Sequence, residues 1–188
     1  MSVPMERTTL HHRDELPALI ENAKQDSLAF ARLYDRFSRP IYRYLYSRVG
    51  NQADAEDLTA QTFLTALEKL PRYREQGHFK AWLFTIARNK AVDHFRKKRP
   101  DVRPDAAEMR SGENDLLADL IQSELIQQLS VLIRSLDREE QELLRLRYVA
   151  DLNFGEMAAM LGKRQDAVKK SLYRLQVRLH SQLEVEHV

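Results

Sequence analysis

Apolar residues recur at three- and four-residue steps along most of the chain, and no run alternates as a strand would. That period puts apolar side chains on one face of a helix, so the pattern predicts an all-α protein. Asp14 to Gln25 reads as a first helix, preceded by a frayed polar leader from Met1 to Arg13. Phe30, Leu33, Tyr34 and Phe37, then Ile41, Leu45 and Val49, keep the step. Ser38 and Pro40 predict a break and restart between these sets, and Gly50-Asn51 a stop. Gln52 to Leu70 is a third helix, with Ala60, Phe63, Leu64 and Leu67 on its apolar face and Pro71 closing it. Tyr73 to Arg99 then reads as a loop feeding a long helix, with Phe79, Trp82, Leu83, Ile86, Val92 and Phe95 along one stripe.

From Pro100 the texture changes. Pro100, Pro104, Ser111 and Gly112 stand among acidic residues, and Met109 is the sole large apolar residue between Val102 and Leu116. The segment 100–115 is therefore expected to be a flexible, mildly acidic linker between two helical domains, 1–99 and 116–188. Helical spacing resumes from Leu116 to Ile133. Asp137 with Glu140 reads as an N-cap and its reciprocal partner, opening a helix to about Tyr148. Asn153 with Glu156 repeats the device for a short helix that Gly162 stops. A last helix starts near Gln165, with Val168, Leu172, Leu175, Leu179 and Leu183 on one face.

Composition narrows the class. The chain has 188 residues and no cysteine, which excludes disulfides, thiolate metal sites and thiol catalysis. No apolar run approaches the ~20 residues that span a bilayer, and the first residues lack the apolar centre of a signal peptide. A cytoplasmic protein without membrane insertion is expected. His11 and His12 are neighbours with no partner at ligand spacing, so no metal is expected.

Charge is uneven. The net charge is only +2, yet nine Lys/Arg stand against two acids between Arg72 and Arg99. Aromatic rings beside such a helix suit a partly unstacked nucleic acid, with bases on rings and phosphates on cations. Lys80, Arg88, Asn89, Lys90 and Asp93 fall off the apolar stripe, and the helix finishes in Arg96, Lys97, Lys98 and Arg99. The opposite sign appears in Asp54, Glu56 and Asp57, which either complement a helix dipole or dock a basic partner. Near the C-terminus, a short helix, a glycine turn and a longer helix match a helix-turn-helix. There Gln165, Lys169, Lys170, Tyr173 and Arg174 point away from the apolar stripe, as a major-groove reader needs.

Taken in order, these segments resemble the extracytoplasmic-function (ECF) type of sigma factor in the sigma-70 family. FARLYDRFSRPIYRYLYSRV resembles the family's first helix pair, and DAEDLTAQTFLTALEKLPRY its polymerase-docking segment. HFKAWLFTIARNKAVDHFRKKR resembles the promoter-melting and −10-reading segment. LDREEQELLRLRYVADLNFGEMAAMLG with AVKKSLYRL resembles the −35-reading module. The resemblance implies core RNA polymerase as a partner for Asp54, Glu56, Asp57 and Gln61. It implies that Tyr73, Asn89 and Asp93 read an extruded base of the −10 strand, with Lys80, Arg88, Lys90 and Arg96 to Arg99 on the same melted DNA. Arg164, Gln165, Lys169, Lys170, Tyr173 and Arg174 would address the −35 duplex. The resemblance further implies a membrane-associated anti-sigma factor that clamps both modules when the inducing signal is absent.

The chain departs from the family at Ala60-Gln61, where an acidic residue usually follows Gln. It departs again at Lys163, Arg164 and Ala167, where an apolar residue, a hydroxyl cap and a Thr are usual. These departures bear on target sequence more than on function. A rival reading is a two-module helix-turn-helix regulator that binds duplex DNA without polymerase; it leaves the aromatic −10-type helix and the acidic patch unexplained. An enzyme has no support: there is no phosphate loop, and Asp93 and His94 point to different faces of a helix. No cofactor is expected.

Overall fold

The structure, a computed structural model, describes residues 11–74, 77–98 and 124–185. Every regular element among them is helical, as the spacing predicts. In order these are α1 (His11–Ala23), α2 (Ser27–Val49), α3 (Gln52–Lys69) with a 3-10 turn at Leu70–Arg72, and α4 (Phe79–Lys98). Then come α5 (Glu124–Ser135), α6 (Arg138–Leu144) with a π-type turn at Arg145–Val149, α7 (Phe154–Leu161) and α8 (Gln165–Val185). No helix among the described residues is long and apolar enough to cross a membrane. The expected linker 100–115 lies outside the described residues.

Several expectations need correction. The first helix begins at His11, inside the segment read as a frayed leader. The break at Ser38 and Pro40 does not occur: α2 runs unbroken with Pro40 inside it. A proline there removes one backbone donor and crowds the preceding turn. Leu33 and Phe37 before it and Ile41, Tyr44 and Leu45 after it are all buried on one continuous face. Packing of α1, α3 and α4 on that face outweighs the local signal.

On α3 the apolar face is rotated from the expected one. Ala55, Leu58, Thr59, Thr62, Phe63 and Ala66 are buried, whereas Leu64 and Leu67 are 61% and 47% exposed and Ala60 lies outside. Thr59 and Thr62 can face the core because their hydroxyls donate to the carbonyls of Ala55 and Leu58, 2.7 Å away. Helix α4 is buried on more than one stripe. Ala81, Phe84 and Ala91 are buried along with Phe79, Leu83, Ile86 and Phe95, while Trp82 and Val92 are half-buried. Three neighbours explain this, since α2, α3 and α7 all pack against α4.

The helix ends follow local chemistry. Asp26 and Asn51 cap α2 and α3 through their side chains, and Gly50 closes α2 at φ 74°. Asn153 and Glu156 form the predicted reciprocal cap on α7, and Gly162 ends it at φ 63°. At α6 only half of the predicted device is made. Asp137 accepts from the Glu140 amide, but the Glu140 carboxylate pairs with Arg178 of α8 at 2.6 Å. The helix expected to reach Tyr148 changes register at Arg145, where the Ala150 amide donates to the Arg145 carbonyl.

Candidate nucleic-acid and partner interfaces

Tyr73, Phe79 and Trp82 gather where the 3-10 turn hands over to α4. Tyr73 lies 4.7 Å from Trp82 and 5.5 Å from Phe79 between ring centroids, and Phe79 lies 5.4 Å from Trp82. Phe79 is buried and anchors the other two, which are only partly buried. This gives a ring platform at the head of a cationic helix, an arrangement able to stack a base.

The polar residues of α4 divide into two sets. Toward its C-terminal end, Asn89 and Lys97 are exposed and Arg96 pairs with Asp93 at 3.1 Å across one turn. Lys90 is half-exposed. Arg99, the last of the predicted cations, lies outside the described residues. The other set, Lys80 and Arg88, faces the C-terminal helices. Lys80 donates to the Asp151 backbone carbonyl and lies 3.8 Å from its carboxylate, while Arg88 Nε is 3.6 Å from Glu142 Oε1.

The acidic start of α3 also divides. Glu56 and Asp57 are exposed; Gln52 donates to Glu56 and Gln61 to Asp57, both at 2.7 Å. Asp54 is instead tied to α4, with Lys98 Nζ at 2.6 Å and His94 Nε2 at 3.2 Å from its carboxylate. Partial burial alone would raise the Asp54 carboxyl. Hydrogen bonds from Lys98 and Asn51 and the charges of His94 and Lys98 outweigh burial and hold it below its ordinary 3.8. Sequence reading missed the exposed Leu64 and Leu67 beside this patch, because their spacing equally fits a core face.

On α8 the residues expected to read DNA do share one exposed side. Arg164, Gln165, Lys169, Lys170, Tyr173 and Arg174 are all exposed, while Val168, Leu172 and Leu175 are buried behind them. Lys169 sits 5.8 Å over the Tyr173 ring, a cation–π contact that orders both. Lys163, in the turn, reaches Glu139 of α6 at 2.6 Å, and Arg178 reaches Glu140. These two pairs bind the turn and α8 to α6, leaving the cations between them outward.

A further cluster had no sequence signal. Glu142 of α6 is buried between α2 and α4. Tyr44 Oη donates to it at 2.6 Å, and Arg48 Nη1 lies 3.0 and 3.1 Å from its two oxygens. Burial pushes the Tyr44 hydroxyl well above its ordinary range and the Glu142 charge pushes it further, so it stays a donor. The partners are 94 and 98 residues apart in sequence, beyond any local pattern.

Comparison with known proteins shows what the chain is similar to. A family model described as Sigma-70 region 2 matches residues 33–100. The chain is 40% identical over 165 residues to the ECF RNA polymerase sigma factor BldN of Streptomyces coelicolor, covering 83% of this chain and 61% of BldN. It is 28% identical over 171 residues to the ECF sigma factor SigW of Bacillus subtilis, covering 85% of this chain and 91% of SigW. The fold is similar to that of CnrH in complex with the cytosolic domain of CnrY. There the TM-score is 0.64 and the identity 25%, with 89% of this chain and 96% of that one covered. Over most of its length the chain is therefore similar to RNA polymerase sigma factors of the ECF type, and it spans about three fifths of the length of BldN.

Proposed function

We propose that this chain binds core RNA polymerase through α3 and directs it to promoters by reading a −10 strand with α4 and a −35 duplex with α8. The observation that carries this reading is the aromatic group Tyr73, Phe79 and Trp82 at the head of the cationic helix α4, within the matched Sigma-70 region. Duplex DNA gives such rings nothing to stack on; a melted strand does. Glu56, Asp57 and Gln61, with exposed Leu64 and Leu67, supply a polymerase-facing surface of acidic and apolar groups. Asp54 serves this surface as its internal tether to α4.

In this reading residues 1–99 and 116–188 act as two modules joined by the linker 100–115. Two weak DNA sites on one chain then behave as a bivalent reader. Helices α7 and α8 act as a helix-turn-helix, with Arg164, Gln165 and Lys169 nearest the bases. The chain contributes binding and positioning, not bond chemistry, and works in the cytoplasm. The related CnrH is held by the cytosolic domain of CnrY, which supports an anti-sigma factor as regulator here, its anchor in the membrane.

The test is transcription in vitro with purified core polymerase on a genomic fragment library, with transcript starts sequenced. Starts clustered behind one shared pair of −10 and −35 elements are expected only when the chain is present. Equal binding to promoter duplex with and without core polymerase would favour the duplex-binding regulator instead.

A further inference from the structure

Helix α2 buries one face and presents to solvent another that the proposed sites leave unused. Leu33, Phe37, Ile41, Tyr44 and Leu45 are buried, whereas Arg32, Arg36, Arg39 and Arg43 are all exposed. Steps of four, three and four residues set the four arginines in one stripe, about 16 Å long at the rise of an α-helix. Asp35 is the single acid between Arg32 and Arg43. Arg32, Arg39 and Arg43 make no ion pair or side-chain hydrogen bond with another described residue. Arg36 lies 5.8 Å over the Phe37 ring, whose centroid is 5.6 Å from that of Phe79, the anchor of Tyr73 and Trp82. The stripe thus meets the ring platform through two ring contacts.

We propose that this outward face of α2 is a phosphate rail, on which Arg32, Arg36, Arg39 and Arg43 hold the backbone of single-stranded DNA where it leaves the ring platform. The inference rests on the reading of Tyr73, Phe79 and Trp82 as a platform for a melted strand. Like charges three and four residues apart weaken a helix, so the stripe does nothing for the fold. A polyanion turns that repulsion into attraction and gives up its counterions on binding. Arginine adds a planar fork that meets two phosphate oxygens at once. A protein partner fits this face less well, because the centre of a protein interface is apolar. The one large apolar residue exposed between Arg32 and Arg43 is Tyr34, and it turns to Phe63 of α3, 4.7 Å away between ring centroids. A backbone contact carries no sequence information, so the rail adds affinity for the strand without altering which promoter is chosen.

The experiment is fluorescence anisotropy of a dye-labelled oligothymidylate titrated with the full chain at several potassium chloride concentrations. The fourfold variant Arg32→Gln, Arg36→Gln, Arg39→Gln and Arg43→Gln is expected to keep the helical circular dichroism of the parent. Its slope of log affinity against log salt should be shallower by about 0.7 for each phosphate released, and by up to about 3 in all. An unchanged slope overturns the rail. A parental slope together with lost co-purification with core polymerase assigns the face to a protein partner and overturns it equally. If the fourfold variant loses helicity, Arg39→Gln with Arg43→Gln is read instead: about half the change in slope supports the rail, and none overturns it. The ring platform is scored separately with Trp82→Leu, which removes the ring and no charge. It should weaken binding at every salt concentration and leave the slope alone. Parental affinity in Trp82→Leu sinks the platform reading, whereas the rail is judged on the slope of the arginine variants.

Discussion

Lys98, the last residue of α4, meets Asp54, in the first turn of α3, at 2.6 Å, with His94 sharing the same carboxylate at 3.2 Å. The acidic patch of α3 and the cationic end of α4 are thus neighbours rather than remote opposites, and one member of each is spent on the other. Asp54 and Lys98 become structural residues, while Glu56, Asp57 and Lys97 stay available to partners.

That division predicts different outcomes for different acids. Glu56→Lys with Asp57→Lys should abolish co-purification with core polymerase and leave thermal unfolding within a degree or two of the parent. Asp54→Asn should lower the unfolding temperature, because it frees Lys98 and His94 at once. Retained association of the double variant at parental levels would refute the polymerase assignment.

The Asp54 effect should also depend on pH in one direction. Its folded pKa is depressed below 3.8, so its contribution is fully present above the unfolded carboxylate value and is lost as pH falls through the lower folded value. The stability gap between the parent and Asp54→Asn should therefore narrow as pH falls below about 5 and close in strong acid. Denaturant titrations across that range measure it. A gap that persists undiminished in strong acid contradicts the pairing.

Neutralising Arg96, Lys97, Lys98 and Arg99 together should weaken promoter binding by holoenzyme. It should also flatten the salt dependence, by about one unit of slope for each phosphate the chain no longer neutralises. Lys98→Ala alone should lower stability more than it changes the slope, because its charge is already engaged with Asp54. An unchanged slope in the fourfold variant would reduce this run to a solvated helix end.

Just before α8, Arg164→Ala should change preference at a single base pair of the −35 element, by roughly 1–3 kcal/mol if the guanidinium contacts guanine in bidentate fashion. Lys170→Ala should weaken all sequences about equally. Selection of randomised promoters with each holoenzyme separates the two. A shift in −10 preference from Arg164→Ala would sink the two-module division.

Gly162 offers a stability test of the turn. Its φ of 63° is left-handed, and a Cβ there would meet nothing within 4 Å, so the strain is purely of the backbone. Gly162→Ala should cost about 1 kcal/mol in chemical denaturation. A cost near zero would mean that the turn rearranges without penalty.

Local chemistry in the sequence determined what is local in the protein. Helical period gave the elements, Gly50 and Gly162 their ends, and Asn153 with Glu156 the reciprocal cap, because each depends on residues within one or two turns. The outward side of α8 was legible for the same reason: its buried stripe is strongly apolar and one-sided. Tertiary structure decided whatever depended on a neighbour. It kept Pro40 inside α2, since the buried face on either side of it is continuous. It turned Thr59 and Thr62 inward and Leu64 and Leu67 outward on α3, where hydropathy alone could not choose between two overlapping faces. It paired Asp54 with Lys98 across 44 residues and enclosed Glu142 among Tyr44 and Arg48 across 98 and 94. A charge in a sequence reads as solvated; only its neighbours in space show whether it is exposed to water or held by a partner.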